Sequence, residues 1–308
     1  MVRFCRLLIM LVATSIAVIS VAAFPPLQKV SSGKVDRVNI YSNELEDTIT
    51  VDVWTPENYD ADRKEGYPVI YMHDGQNLFD NTTTFNHQSW EMDSVTDNLI
   101  NRGLIEAPVI VGIHSRPETR IGYLMPEKAL RMIENLPDSL DFYGMPIIVK
   151  GDKYASFIVN ELKPLMENAY NLSSRKDETI IMGSSMGGLM SAYVISEYPD
   201  VFGGAGCLST HWIGDPERQW ALTDAILRYL DMYLPSPADH KLYFDHGTQG
   251  IDAYYGDAET LVLELAKCKG YVEGESLMSY FADGDDHQER YWMNRVWRPL
   301  TFLLPKKK

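Results

Sequence analysis

The sequence predicts an α/β fold, a mostly parallel, doubly wound sheet flanked by helices. Three observations predict it. Short apolar runs of strand length recur along the chain, ending in polar or glycine residues. Most of them lack an alternating polar face, as strands buried on both sides of a parallel sheet do. Longer stretches with helical spacing separate them, and such alternation defines the α/β class.

The elements follow in order. "TITVDVW" (48–54) alternates and reads as a half-buried strand. "PVIYMH" (68–73), "PVIVGIH" (108–114), "TIIMG" (179–183), "GGAGCLS" (203–209), "KLYFDHG" (241–247) and "LMSYFADG" (277–284) are the further strands. Residues 89–103 predict a helix with Gly103 as its C-terminal cap. Residues 154–170 predict another, with Ile158, Leu162, Leu165, Met166 and Ala169 on one face. A third runs from 185 to Pro199, and a fourth, 257–270, carries Leu261, Leu265 and Cys268 on one stripe. "SRPETRIGYLMP" (115–126) reads as a solvated loop, whose alternative role is to line a site with Arg116, Arg120 and Tyr123.

No linker interrupts this series, so residues 24–308 are expected to form a single domain. Residues 1–23 read as a signal peptide: Arg3 and Arg6, then "LLIMLVATSIAVIS", then small Val21 and Ala23 before a cleavage point. The expected location is secreted or periplasmic, with no membrane association after cleavage. The run is short for a membrane span, and an uncleaved anchor is the alternative.

Of 308 residues 45% are hydrophobic and 23% charged, enough for a sizeable core. The net charge of −15 argues against nucleic acid and anionic membrane as partners. Cys5 leaves with the leader. Cys207 and Cys268 sit in apolar settings and read as two buried free thiols, with a single bridge as the alternative. Glycosylation sequons stand at Asn81 and Asn171. There is no H-E-x-x-H, no Cys/His ligand spacing, no G-x-G-x-x-G after the first strand and no Walker loop, so no metal and no cofactor are expected. His73 reads as fixing its own loop.

"TIIMGSSMGGLM" (179–190) carries the chemistry. G-x-S-x-G fits one frame, Gly183-Ser185-Gly187, because Ser184 would need glycines at Met182 and Met186. A strand before and a helix after supply the nucleophile-elbow context. Side chains two positions either side of such a serine would collide, and the helix N-terminus favours a developing oxyanion. A serine nucleophile needs a base after the last strand and an acid between the two. His287 is the candidate base; His211, His240 and His246 are the other histidines after the elbow. Asp252 is the favoured acid, with Asp245 and Asp257 as alternatives. The oxyanion donors are the N–H groups of Met186 and of Gln76, in the loop "HDGQ" that Gly75 allows to turn. His211 and Trp212 lie just beyond a strand end, where ligands bind in such sheets, and are candidate substrate contacts.

"HDGQNLFD", "GSSMGG", "GDDH" and the spacing between them resemble the esterase D group of α/β hydrolases, which includes feruloyl and acetylxylan esterases, siderophore esterases and mycobacterial mycolyltransferases. The resemblance covers about residues 35 to 304 and extends to Trp90-Glu91 and to "YPDVFGGAGCLS". It implies an α/β-hydrolase fold, Ser185 as nucleophile, His287 as base, Gln76 and Met186 as oxyanion donors, and Trp90 near the substrate. Many members place the acid directly after a G-T-x pattern; this chain has Gly250 there, within "GTQGID", which moves the acid to Asp252. The expected activity is a serine esterase acting on an acylated carbohydrate through an acyl-enzyme. A siderophore esterase or an acyltransferase would use the same residues. A non-catalytic binding protein on a hydrolase scaffold is the alternative of another class.

Overall fold

The computed structural model describes residues 25–306, apart from 135, 137–139, 143–144 and 214–219. The leader expected over 1–23 lies outside the described residues. The strands are β1 (Lys34–Ser42), β2 (Asp47–Thr55), β3 (Val69–His73), β4 (Val109–Ile113), a separate hairpin of β5 (Leu140–Phe142) and β6 (Met145–Ile147), then β7 (Thr179–Ser184), β8 (Gly204–Leu208), β9 (Lys241–Gly247) and β10 (Leu277–Ala282). Eight of them form one sheet in the order β1-β2-β4-β3-β7-β8-β9-β10. Only β2 runs against its neighbours; the remaining pairings are parallel. The mostly parallel doubly wound sheet expected from the sequence is therefore the architecture found.

The central strands are buried along their whole length because both faces are covered. Alternation still operates within them. Val69, Tyr71, Val109, Val111 and Ile181 enter one core, while Ile70, Met72, Ile110, Ile180 and Met182 enter the other. Helices α1 (Met92–Asn101) and α10 (Trp297–Leu303) cover the second core. Helix α6 (Met186–Glu197), α7 (Trp220–Tyr233) and α8 (Gly256–Cys268) cover the first, with a long helix that begins as α4 (Gly151–Ser156) and ends as α5 (Lys163–Ala169).

The structure corrects several expectations. The long helix has a π turn over Phe157–Leu162, directly before Pro164, which has no N–H to continue the ladder. The extra residue per turn puts Ile158, Leu162 and Met166 inside and turns Leu165 and Ala169 to solvent. In α8 the inward positions are Ala258, Glu259, Val262 and Ala266; Leu261 and Cys268 are exposed and Leu265 is half-buried. Both cysteines are free thiols, but only Cys207 is buried. Residues 115–126 are not simply a loop: they hold α2 (Pro117–Tyr123), and α3 (Glu127–Leu130) follows. Edge strand β1 carries Lys34, Asp36 and Arg37 and escapes an apolar-run search for that reason. The chain closes with α9 (Glu289–Arg295) ahead of α10.

Candidate active site

The parallel register aligns the C-terminal ends of the strands, with Ser184 paired to Leu208 and Leu208 to Asp245. Every candidate from the sequence except Trp90 lies at or just beyond such an end.

Ser185 follows β7 with φ 56° and ψ −123°, a conformation that costs a side-chain-bearing residue about 1–3 kcal/mol. It is held on both sides: its N–H donates to Leu208 O at 2.9 Å, and its carbonyl accepts from the N–H of Leu189 at 3.1 Å and of His211 at 3.1 Å. A Cβ on Gly183 would stand 2.9 Å from the Gly187 carbonyl carbon, so the elbow closes only with glycine there, as the motif predicted. Met186 N–H opens α6 and is one of the helix's unsatisfied amides.

Asp252 and His287 meet. His287 Nδ1 lies 2.5 Å from Asp252 Oδ1. The imidazole edge packs against Tyr255 and Trp292, at 5.8 and 5.0 Å between ring centres. Asp252 is fully buried, and its Oδ2 accepts from Gly247 N–H at 2.8 Å and from Ser209 Oγ at 2.5 Å. Burial pushes this carboxyl up, but His287, Ser209 and Gly247 outweigh it and hold it below the usual carboxylate range. The two alternative acids are placed elsewhere. Asp245 is claimed by Arg295 Nη2 at 3.0 Å and Tyr243 Oη at 2.8 Å, and Asp257 is exposed at the start of α8. His240 bonds backbone carbonyls of Ser236 and Pro199 at the opposite ends of the strands, and His246 packs on Phe281.

A buried network that the sequence did not reveal lies beneath the pair. Ser209, itself at φ 39°, accepts from Trp292 Nε1 at 2.9 Å and Arg295 Nη2 at 2.7 Å while donating to Asp252. Arg295 also reaches Asp285 at 2.9 Å. The only signal in the sequence was Trp292 and Arg295 three apart in a helix after the histidine, on one face.

The loop after β3 is equally constrained. The left-handed residue in this turn is Asp74, with φ 57°. Gly75 is required for a different reason: a Cβ there would stand 2.4 Å from the Gly112 carbonyl carbon of β4. Arg120 grips both oxygens of Asp74 at 2.8 Å, and Ser115 donates to the same carboxylate. Burial raises the Asp74 carboxyl, but Arg120, Ser115 and His73 together outweigh it and hold it below the usual carboxylate range. The Gln76 side chain is pinned to Ser115 at 3.0 and 2.9 Å. His73 Nδ1 lies 2.9 Å from Tyr154 Oη, and burial pushes His73 down to about 4, consistent with a neutral loop-fixing residue.

The proposed substrate contacts fare differently. Trp212 is wholly buried against Phe244, and its bulk belongs to the core. Trp90 is buried too, stacked at 5.3 Å on Trp292, one layer behind His287. His211 is buried, with Nδ1 2.8 Å from Tyr255 Oη, beneath the elbow. None of the three presents a surface to a substrate. Of the 115–126 residues, Arg120 supports the loop as above, while Arg116 and Tyr123 bind Asp47. A cavity of about 640 Å³ opens at the other end of the strands, around Pro68, Gly203 and Lys241, and shares none of these residues.

Elbow, sheet order and crossover helices define an α/β hydrolase. The chain belongs to the esterase family: residues 42–300 match the family model described as "Putative esterase". That membership makes it a hydrolase of carboxylic esters. It is 25% identical over 260 residues to the uncharacterized protein YbbA of Bacillus subtilis (strain 168), covering 82% of this chain and 92% of the relative. A ferulic acid esterase structure superposes with a TM-score of 0.64 at 18% identity, over 89% of this chain and 98% of that one. The enterobactin esterase FES from Shigella flexneri does so with a TM-score of 0.64 at 20% identity, over 90% of this chain and 62% of that one. At these identities the likeness is one of fold.

Proposed function

We propose that this chain is an exported serine esterase that cleaves an acyl group from a carbohydrate. Ser185 attacks the ester carbonyl. His287, oriented through Nδ1 by Asp252, takes the serine proton on Nε2 and returns it to the leaving alcohol. The N–H groups of Gln76 and Met186 hold the oxyanion. Water, activated by the same histidine, then releases the acyl group. The observation that carries this reading is the 2.5 Å bond from His287 to a fully buried Asp252, beyond the same strand ends at which Ser185 is held at φ 56°. Export is supported by the composition of residues 1–23, and the acylated carbohydrate by the ferulic acid esterase likeness. The likeness to FES supports a siderophore ester as the second substrate class.

The test is a fluorophosphonate probe with peptide mapping, followed by a panel of acetyl, feruloyl and siderophore esters. Labelling at Ser185 and turnover of the carbohydrate esters are expected. Absence of both labelling and turnover would favour a binding protein on this scaffold. Turnover only of siderophore esters would move the substrate class and leave the mechanism standing.

A further inference from the structure

The segment before β1 lies across the loop that carries Gln76, and one side chain joins them. We propose that Gln28 is the positioning residue that aims the Gln76 N–H as an oxyanion donor; the inference rests on the reading of the site given above.

Gln28 is buried and its amide is fully used. Nε2 donates to Asp52 Oδ2 at 2.7 Å and to Gly75 O at 2.8 Å. Oε1 accepts from Phe79 N–H at 3.1 Å and Asp80 N–H at 3.3 Å. Three of the four bonds therefore end on the backbone of one loop. The decisive one is to Gly75 O. The carbonyl of Gly75 and the N–H of Gln76 belong to the same planar trans peptide, in which they point in opposite directions. Holding the oxygen on one side fixes the N–H on the other. The bond that the turn itself makes to this oxygen, from Leu78 N–H, is long at 3.4 Å. With Gln28 removed, the peptide loses its short anchor and its donor direction is no longer fixed.

Gln28 is in turn held from behind. Asp52, at the centre of β2, is clasped by Arg37 at 2.6 Å through both oxygens and by His114 at 2.9 Å. The strap is fastened on either side of Gln28: Arg37 donates to the carbonyls of Pro25 and Pro26, Lys29 N–H to Asp80 at 3.0 Å, and Ser31 Oγ to Asp93 at 2.7 Å. A side chain required only for stability could have ended anywhere in the fold. This one is built into the peptide whose orientation matters for catalysis.

The test uses the full-length protein with Gln28→Met, which keeps the bulk and leaves Asp52 its Arg37 and His114 bonds, and Gln28→Glu assayed at alkaline pH, where its carboxylate keeps an acceptor for Phe79 and Asp80 but has no donor for Gly75. kcat is measured per active site, titrated by the p-nitrophenol burst, alongside KM, the affinity of a boronic acid that forms a tetrahedral serine adduct, and the melting temperature. Loss of an oxyanion donor costs about 100- to 1,000-fold in kcat. Loss of its aim is expected to cost about 10- to 100-fold, with KM within about twofold and boronate affinity falling in parallel with kcat. Should Gln28→Met fail to fold, Gln28→Glu carries the same expectation. Either folded variant with wild-type kcat and boronate affinity, whatever its melting temperature, overturns the proposal, provided Ser185→Ala is inactive. An active Ser185→Ala would instead bring down the reading of the site on which the proposal rests.

Discussion

Asp252→Asn tests the acid assignment more sharply than removal of the side chain would. Asp252 accepts three hydrogen bonds, from His287 at one oxygen and from Ser209 and Gly247 at the other. An asparagine has a single carbonyl oxygen to offer. The hydroxyl of Ser209 can rotate, but the Gly247 amide is fixed in the backbone and can only donate. The asparagine oxygen must therefore face Gly247, which turns its NH₂ toward His287 Nδ1. That nitrogen then becomes an acceptor, and the imidazole proton moves to Nε2, where it blocks transfer from the serine. A wrong tautomer of this kind lowers kcat by about 10⁴, or about 5.5 kcal/mol of transition-state stabilisation. The assay is burst-titrated turnover of p-nitrophenyl acetate, with Asp257→Asn as the control, since Asp257 is exposed at the start of α8. Asp252→Asn that keeps kcat within tenfold of wild type, or an equal loss in Asp257→Asn, would refute the reasoning.

Further outcomes follow from other parts of the site and core. Ser185→Ala is expected to lower kcat by several orders of magnitude and Ser184→Ala by no more than a few-fold, because Ser184 is the buried last residue of β7, within the strand ladder; the reverse order would show the motif frame to be wrong. Glu259 is buried beside Asp245, and burial chiefly, then Asp245, pushes its carboxyl well above the usual range. Its neutral form therefore loses stability relative to the unfolded chain as pH rises above about 4.3. Glu259→Gln should stabilise the protein by an amount that grows from pH 4 to 8 in urea titrations, and a pH-independent difference would contradict this. Asp52, Asp74 and Asp252 are shifted the other way: burial raises each carboxyl, but hydrogen bonds and nearby cations outweigh it. Their stabilisation is present above about pH 4 and is lost as pH falls below it. The melting temperature should drop steeply between pH 5 and 3 and less steeply in Asp52→Asn; a flat profile would count against the three carboxylates.

The elbow was legible because a backbone requirement writes itself into glycine at fixed spacing, and the helix N-terminus follows at once. His287 was legible as the histidine directly beyond the last strand. The acid was ambiguous, since Asp245, Asp252 and Asp257 all crowd around one strand end, and only the partners of each separate them: Arg295 and Tyr243 occupy Asp245, and solvent surrounds Asp257. Gln28 and Ser209 were invisible. Each is a lone polar residue whose role depends on partners tens of positions away, and no local pattern marks it. Trp212 was misread because a large aromatic near a strand end suits a ligand and a core equally well, and Trp90 was placed near the substrate by the family resemblance; burial puts both in the core. Leu165 was misplaced by a regular 3.6-residue period that the π turn before Pro164 breaks.

The order in which the site's parts lie along the chain has a consequence for synthesis. Gln28, Gln76, Ser185, Asp252 and His287 leave the ribosome in that sequence, and Trp292, Arg295 and the α10 residues that complete the second core come after them. On the proposed mechanism, a nascent chain arrested just short of His287 carries Ser185 without its base. One arrested just beyond it lacks the Trp90–Trp292 stack and the Arg295 anchor that hold the base in place. On that reading activity waits for the last part of the chain, and products truncated before α9 are expected to be inactive.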